Sequence, residues 1–334
     1  MANNQKELVL AVENLSVVFH SPKRMFEAQK PSVKAVNNVS FNVYAGETFG
    51  IVGESGCGKT TMGKAIVRLL KPEKGGKLFF YDDGVAKDLL SLDKKESHAM
   101  RRKLQIVFQD PYASLNPQHT ILEAFDEPMR VHGIGGGSKA RRKELIAEAL
   151  KKVNLQPEYM YRYPHEFSGG QRQRICVAKS LALDPKVIVL DEPVSALDVS
   201  IQAQLLNLMK KIQAETGITF LFIAHDLSVV QYMSDRIAVM YLGNMVELAE
   251  ADELYNNTKH PYTEALLSAV PIPIVDGKKD RIILEGDVPS PMRPPAGCAF
   301  HPRCAKCMEI CKETKPELKK VADNGHMVAC HLYD

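Results

Sequence analysis

Gly53-Glu54-Ser55-Gly56-Cys57-Gly58-Lys59-Thr60, followed by Thr61, holds the sharpest chemical signal in the chain. Its spacing is G-x-x-x-x-G-K-[ST], set between an apolar strand expected over 48–52 and a helix expected over 62–70. Glycines at these positions let successive backbone N–H groups converge on phosphate oxygens, while the helix that follows presents its positive dipole end. Lys59 is then placed to reach the β- and γ-phosphates of a nucleotide such as ATP, and Thr60 to ligate Mg²⁺. The chemistry does not require Cys57, which reads as a small filler. A glycine-rich turn could be only a turn, but Lys-Thr in register argues for phosphate.

A second group lies at the end of an apolar run, where 187–190 lead into Asp191-Glu192. A strand that ends in two acids suits a triphosphatase: the first holds Mg²⁺, directly or through water, and the second polarises the attacking water. Taken alone these acids could be solvated charges, and a lone His225 at the end of the run 218–224 could be a satisfied strand-end residue. In company with the phosphate loop they become candidates for catalysis.

Phe167-Ser168-Gly169-Gly170-Gln171, placed before the acidic strand, resembles the signature of the ABC transporter ATPases, with Phe where Leu is commoner. In that family the Ser-Gly-Gly helix start faces ATP bound on an opposite subunit, and Ser168 with the glycine N–H groups would form such an anion site. The resemblance implies further roles. Gln109, in Val-Phe-Gln-Asp, is similar to the glutamine that senses Mg²⁺ and faces membrane subunits. Ser195-Ala196-Leu197-Asp198 resembles the loop at the dimer seam, His225 the switch histidine at the γ-phosphate, and Phe19 the aromatic that stacks on adenine, with core packing of Phe19 or use of His20 left open. The implied fold is α/β: a P-loop cassette with a RecA-like parallel core, an antiparallel β subdomain and an inserted helical subdomain over about 112–180.

Past residue 253 the character changes. Lys259-His260-Pro261-Tyr262-Thr263 and the tail Gly297-Cys298-Ala299-Phe300-His301-Pro302-Arg303-Cys304 resemble the extension of the oligopeptide and dipeptide importer ATPases, and Tyr163-Pro164-His165-Glu166 resembles their F-type subunit. That likeness implies a cassette over 1–253 and an extension over 254–334. It also implies a heterodimer with a second related ATPase, two transmembrane permease subunits, an external peptide-binding protein and a place on the cytoplasmic side of the cell membrane. Peptide is the implied cargo, with nickel or another small solute as alternatives. Cys298, Cys304, Cys311 and Cys330 match the family positions that hold a 4Fe-4S cluster. Spacing alone ranks zinc equally, through Cys304-x-x-Cys307 with His301 or His331. Reduced free thiols are the plain alternative. A proline-rich tail with little core of its own favours a metal that adds folding energy.

The elements that must position these groups follow from pattern. Residues 8–19 and 33–52 read as strands of a partly antiparallel sheet, broken by Ala45-Gly46. Leu145, Ile146, Ala149, Leu150 and Val153 share one helix face, and Gly133 to Gly137 read as a helix connection. Strand 187–190, a helix carrying Ile201, Leu205, Leu208 and Ile212 with Gly217 as its stop, and strand 218–224 alternate as in a parallel sheet. Beyond 253, Pro261, Pro271, Pro273, Pro289, Pro291, Pro294 and Pro295 make long elements unexpected.

Composition removes other classes. Lys+Arg 43 against Asp+Glu 40 in 334 residues leaves a formal charge of +3, too small to predict nucleic acid as a partner. A nucleic-acid repair ATPase with a metal-binding tail remains the rival class, disfavoured because the cassette is uninterrupted and its cysteines follow it. No run approaches the roughly 20 apolar residues of a membrane span. The first residues lack the pattern of a secretory leader. Seven cysteines, an odd number, argue against a disulfide framework.

Overall fold

The computed structural model describes residues 7–20, 32–270 and 281–334. Pro271 and Pro273, which the sequence reading used, lie outside the described residues.

Two sheets organise the molecule. In the larger, eight-stranded sheet, β3 (Thr48–Val52), β6 (Leu104–Val107), β7 (Val187–Asp191), β8 (Thr219–Ile223) and β9 (Arg236–Tyr241) run parallel in the order β9-β3-β8-β7-β6. Every residue of β3, β7 and β8 is buried. A parallel strand covered on both faces needs such continuous apolar sequence, and this explains runs like Val-Ile-Val-Leu. Because these strands share one direction, their carboxyl ends open onto one edge, where ligands of parallel sheets bind. The loops after β3, β7 and β8 carry the phosphate motif, the acid pair and His225.

A four-stranded antiparallel sheet, ordered β2-β1-β4-β5, lies beside it: β1 (Leu8–His20), β2 (Ser32–Tyr44), β4 (Lys77–Asp82) and β5 (Val85–Asp88). The stretch expected as strands over 33–52 therefore divides between sheets, β2 joining the antiparallel one and β3 the parallel one. The division falls at the Ala45-Gly46 turn, where Gly46 has φ 72°.

Helices Ile121–Val131, Lys139–Lys152 and Gly169–Leu181 follow β6. Leu150, Val153, Phe125 and Ile175 bury their side chains in one core there. The glycine run joins the first two helices as a turn with positive φ at Gly133, Gly135, Gly136 and Gly137. The phosphate-loop helix is Lys59–Ile66, so it starts earlier than expected and stops sooner; Arg68, at φ 60°, has already left the helical region.

Among the described residues beyond 253, no element exceeds the eight residues of helix Pro261–Ser268. The tail is nevertheless stitched to the main sheet. β12 (Met327–Val328) pairs antiparallel with β10 (Asn244–Glu250), itself the hairpin partner of β9, and β11 (Lys319–Lys320) closes the edge. Beneath this seam His326 is 1 % exposed, its Nε2 2.8 Å from Glu247 Oε1 and its Nδ1 3.3 Å from Glu253 Oε1. Glu247 also accepts the backbone N–H groups of Lys259 and His260 at 2.7 and 3.2 Å.

Burial alone would lower the His326 pKa, but the hydrogen bonds and charges of Glu247 and Glu253 outweigh it and raise the value above the ordinary histidine range. A raised folded-state value means that the imidazolium's stabilisation is complete below pH about 6.5, the unfolded value, and is lost as pH rises through the folded value. Thermal unfolding between pH 6 and pH 9 should therefore show a larger fall in Tm for the parent than for His326→Gln. At pH 6 the variant should be destabilised by about 3 kcal/mol, the cost of leaving buried carboxylate without its partner.

Candidate functional site

The loop after β3 wraps around its own lysine. Lys59 is 4 % exposed, and its Nζ donates to the backbone oxygens of Gly53 at 2.7 Å and Glu54 at 3.0 Å. An ammonium removed from water needs such acceptors, since an uncompensated buried charge is strongly unfavourable. Gly58 precedes the helix at φ 108°, and a Cβ there would sit 2.0 Å from the Ala35 oxygen. Glycine is required on both counts. Ser55 and Gly56 are exposed, at the mouth of the loop, while Cys57 is buried with its Sγ 3.8 Å from Lys59 Nζ. Burial pushes the Cys57 thiol up, which keeps it protonated and suits a filler.

Thr60 joins the loop to β7: its Oγ1 donates to Asp191 Oδ1 at 2.7 Å. Asp191 is 4 % exposed. Burial raises its pKa, with the Thr60 hydrogen bond and the charges of Lys64 and Lys59 acting against that rise. Hydroxyl and carboxylate oxygens held together are the donors that a hard cation such as Mg²⁺ takes.

Glu192 follows at φ 47°, the left-handed region, which costs a residue with a β-carbon roughly 1–2 kcal/mol. Its backbone N–H still donates to Ile223 O of β8 at 2.9 Å. The carboxylate is gripped from two sides. Gln109 Nε2 donates to Glu192 Oε2 at 3.2 Å and to Ser195 Oγ at 3.1 Å, and His225 Nδ1 stands 3.2 Å from the same Oε2. Glu192, Ser195, Leu197, Gln202, His225 and Asp226 line a cleft of about 190 Å³. Such a carboxylate, open to water and oriented by an amide and an imidazole, can hold and polarise a water molecule.

Ser168 caps helix Gly169–Leu181. Its Oγ accepts the Gln171 N–H at 3.3 Å, and Gln171 Oε1 accepts the Ser168 N–H at 3.0 Å. Phe167 is buried at 3 % and packs edge-on against Tyr159, while its carbonyl accepts Arg172 Nε and Nη2 at 2.9 and 2.6 Å. Phenylalanine thus anchors the cap, and the helix start points outward with Ser168 and Gly169 exposed. Gly170 allows the close approach of helix Val199–Thr216, because a Cβ there would lie 2.4 Å from Ile201 Cγ2. Leu197 borders Gly169, and Ser195, Ala196 and Asp198 are exposed. Ser168 and Gln171 form a cap of their own and do not join the Lys59 cluster. Phe19, the last residue but one of β1, is 45 % exposed, so it is a surface ring and not a core one; the neighbouring His20 leans on Glu73, 3.6 Å away.

In the tail Cys298 and Cys304 pack against the main core, and Cys311 and Cys330 are buried. Burial pushes the Cys298 thiol up to about 11, and the charges of Cys311, Cys330 and Cys304 add to the rise. Cys304 is raised by burial and by Cys330, Cys307 and Cys311 in the same way, and Cys330 by burial and by Cys311. The four thiols therefore face one another electrostatically. Among the described residues no group of three or more His, Cys, Asp or Glu side chains is arranged to hold a metal ion. Of the two histidines, His331 uses Nδ1 on Asp334 and Nε2 on Thr314 O at 2.8 Å, whereas His301 engages Nδ1 with Cys298 O at 2.9 Å.

Two residues of the tail motifs join this site, a link that the sequence did not signal. Tyr262 and Arg303 both reach Glu54 of the phosphate loop, from 208 and 249 positions away.

Known proteins share both parts of the chain. Residues 36–195 match the family described as ABC transporter, and residues 246–311 the oligopeptide/dipeptide transporter C-terminal region. Oligopeptide transport ATP-binding protein AppF of Bacillus subtilis is 49 % identical over 336 residues, covering 100 % of both chains. OppF of Haemophilus influenzae is 49 % identical over 332 residues, 98 % of both chains. Among solved structures, the dimeric bacterial ABC transporter cassette MJ0796 is similar with TM-score 0.61 and 31 % identity, over 72 % of this chain and 98 % of that one.

Proposed function

This chain belongs to the oligopeptide transport ATP-binding proteins of the ABC transporter family: it binds and hydrolyses ATP to power a peptide importer, and from that premise we propose how its residues divide the work. The observation that carries the proposal is the Glu192 carboxylate held between Gln109 and His225, one residue beyond the Thr60–Asp191 contact.

The phosphate loop from Gly53 to Thr61 binds the triphosphate, with Lys59 turning from the Gly53 and Glu54 carbonyls toward the β- and γ-phosphates. Phe19 stacks on adenine. Thr60 and Asp191, with Gln109, would hold Mg²⁺, which would supply charge neutralisation on the phosphates. Glu192 orients and deprotonates the attacking water, and His225 couples it to the γ-phosphate. Ser168, Gly169, Gly170 and Gln171 face ATP on a second ATPase, with Ser195, Ala196, Leu197 and Asp198 at the seam. Support for a seam is the uncovered surface there: Val199, next to Asp198, is 81 % exposed although apolar, and the similar MJ0796 structure is a dimer. The second cassette is a related but different subunit, and two permease subunits and an external peptide-binding protein complete the importer. Among the described residues no helix is long and apolar enough to cross a membrane, and we place the chain peripherally on the cytoplasmic face. Residues 1–253 form the cassette and 254–334 its extension.

We further assign a 4Fe-4S cluster to Cys298, Cys304, Cys311 and Cys330. Four unbridged thiols, two of them buried and two packed against the core, on a tail of short elements suit a group that takes thiolate ligands. Bound there, the cluster would add folding energy to the tail.

In Glu192→Gln, ATP should bind as in the parent while turnover falls by about 10² to 10⁴, the size of a general-base contribution. Equal turnover would remove Glu192 from the reaction. Protein purified without oxygen should contain iron and acid-labile sulfide, and Cys330→Ser should contain less of both. Zinc at full occupancy would refute the cluster.

A further inference from the structure

The second residue of the phosphate loop is held by the far end of the chain. Glu54 donates its N–H to Tyr262 Oη at 2.9 Å, and its carboxylate takes Arg303 Nη1 at 2.8 Å and Nη2 at 3.2 Å. Its carbonyl, on the other side of the same residue, is one of the two acceptors of Lys59 Nζ. The Arg303 side chain is 8 % exposed and that of Glu54 25 %. A two-pronged guanidinium–carboxylate pair sheltered in this way is stronger and more directional than a surface ion pair.

The gripping groups are themselves rigid. Tyr262 is fully buried, its ring centroid 4.7 Å from Tyr241 and 5.3 Å from Phe300, and the Tyr241 and Phe300 rings meet edge-on at 5.3 Å. Tyr241 ends β9, the parallel neighbour of β3, and Phe300 lies three residues before Arg303. The aromatic triad therefore fixes hydroxyl and guanidinium against the strand that launches the loop. Phosphate binding by a P-loop sets no residue type at this second position, so the chemistry of the nucleotide does not account for Glu54. Its three-sided attachment does.

We propose that Arg303 and Tyr262 are positioning residues for the ATP site. They hold Glu54, and with it the curl of the loop, so that the N–H groups of the following residues stay turned toward the phosphates and Lys59 stays folded over them. Neither touches the nucleotide; both act through Glu54. The tail is thereby part of the nucleotide site, and ATP affinity depends on its docking. The inference rests on the ATP-site reading above.

The test uses the full chain. Mg-ATP binding would be measured by titration calorimetry, steady-state ATPase by phosphate release, and unfolding by calorimetry without nucleotide, for Arg303→Ala, Arg303→Lys, Glu54→Gln and the double variant Arg303→Ala/Glu54→Gln. Loss of a charge-assisted hydrogen bond should weaken Mg-ATP binding by about ten-fold in each of the two pair-breaking singles. The double variant should be no weaker than either single, because both remove one interaction. KM should rise while kcat stays near the parent value, and Arg303→Lys should recover part of the affinity. Unchanged affinity in Arg303→Ala with a lowered Tm would overturn the proposal and reduce the pair to an anchor for the tail. Multiplying effects in the double variant would overturn it too. Should Arg303→Ala fail to fold, Tyr262→Phe removes only the acceptor for the Glu54 N–H; weaker binding by about five-fold supports the proposal and parent-like binding refutes it. A Lys59→Ala control separates the readings, since ATP binding insensitive to Lys59 would overturn the ATP site itself and not merely its link to the tail.

Discussion

A positive charge folded out of water governs the architecture of this site. The Lys59 ammonium, 4 % exposed, lies at the start of a helix whose dipole also presents positive charge, so it must find oxygen. Gly53 and Glu54 supply two carbonyls, which dictates the curl of the loop, and the curl demands glycine at Gly58. A triphosphate offers the same ammonium better acceptors. The loop is thus built around a charge that its ligand can neutralise.

The surrounding elements carry that demand outward. Parallel pairing of β3 with β8, and of β8 with β7, sets the registers that bring Thr60 to Asp191 and place Glu192 and His225 at one edge. Helix Gly169–Leu181 presents a second cluster of N–H groups on an exposed surface, away from its own Lys59. Besides its phosphate loop the chain thus exposes a second capped helix start, which fits the proposed meeting of two cassettes. The tail, tied through Glu54, His326 and the β10–β12 pairing, sits behind the phosphate loop.

Much of this was legible because it is local. The phosphate loop, the acid pair after a fully apolar strand, the capped helix at Ser168 and the stop at Gly217 are short patterns whose physics acts over a few residues. What escaped depends on distant pairing. Residues 8–19 and 33–52 read as strands of a partly antiparallel sheet broken at Ala45-Gly46, but which strand joins which sheet was not legible, because that choice is made by β8 and β9 nearly two hundred residues later. The phosphate-loop helix ended at Ile66, where the backbone turned at Arg68, and no breaker residue announced it. Spacing left His301 and His331 equal as partners of the cysteines, and only the folded chain shows that His331 spends both ring nitrogens on Asp334 and Thr314. Arg303 stood in the tail motif, but nothing tied it to the phosphate loop, since its partner lies 249 positions upstream.

The central claim is that a triphosphate held by Lys59 is what this fold exists to bind and split. The most direct measurement is Mg-ATP binding and hydrolysis by Lys59→Ala, with unfolding by calorimetry to show that the variant keeps its structure. The account predicts a folded protein that loses both binding and turnover. A folded Lys59→Ala that binds and cleaves ATP like the parent would contradict it.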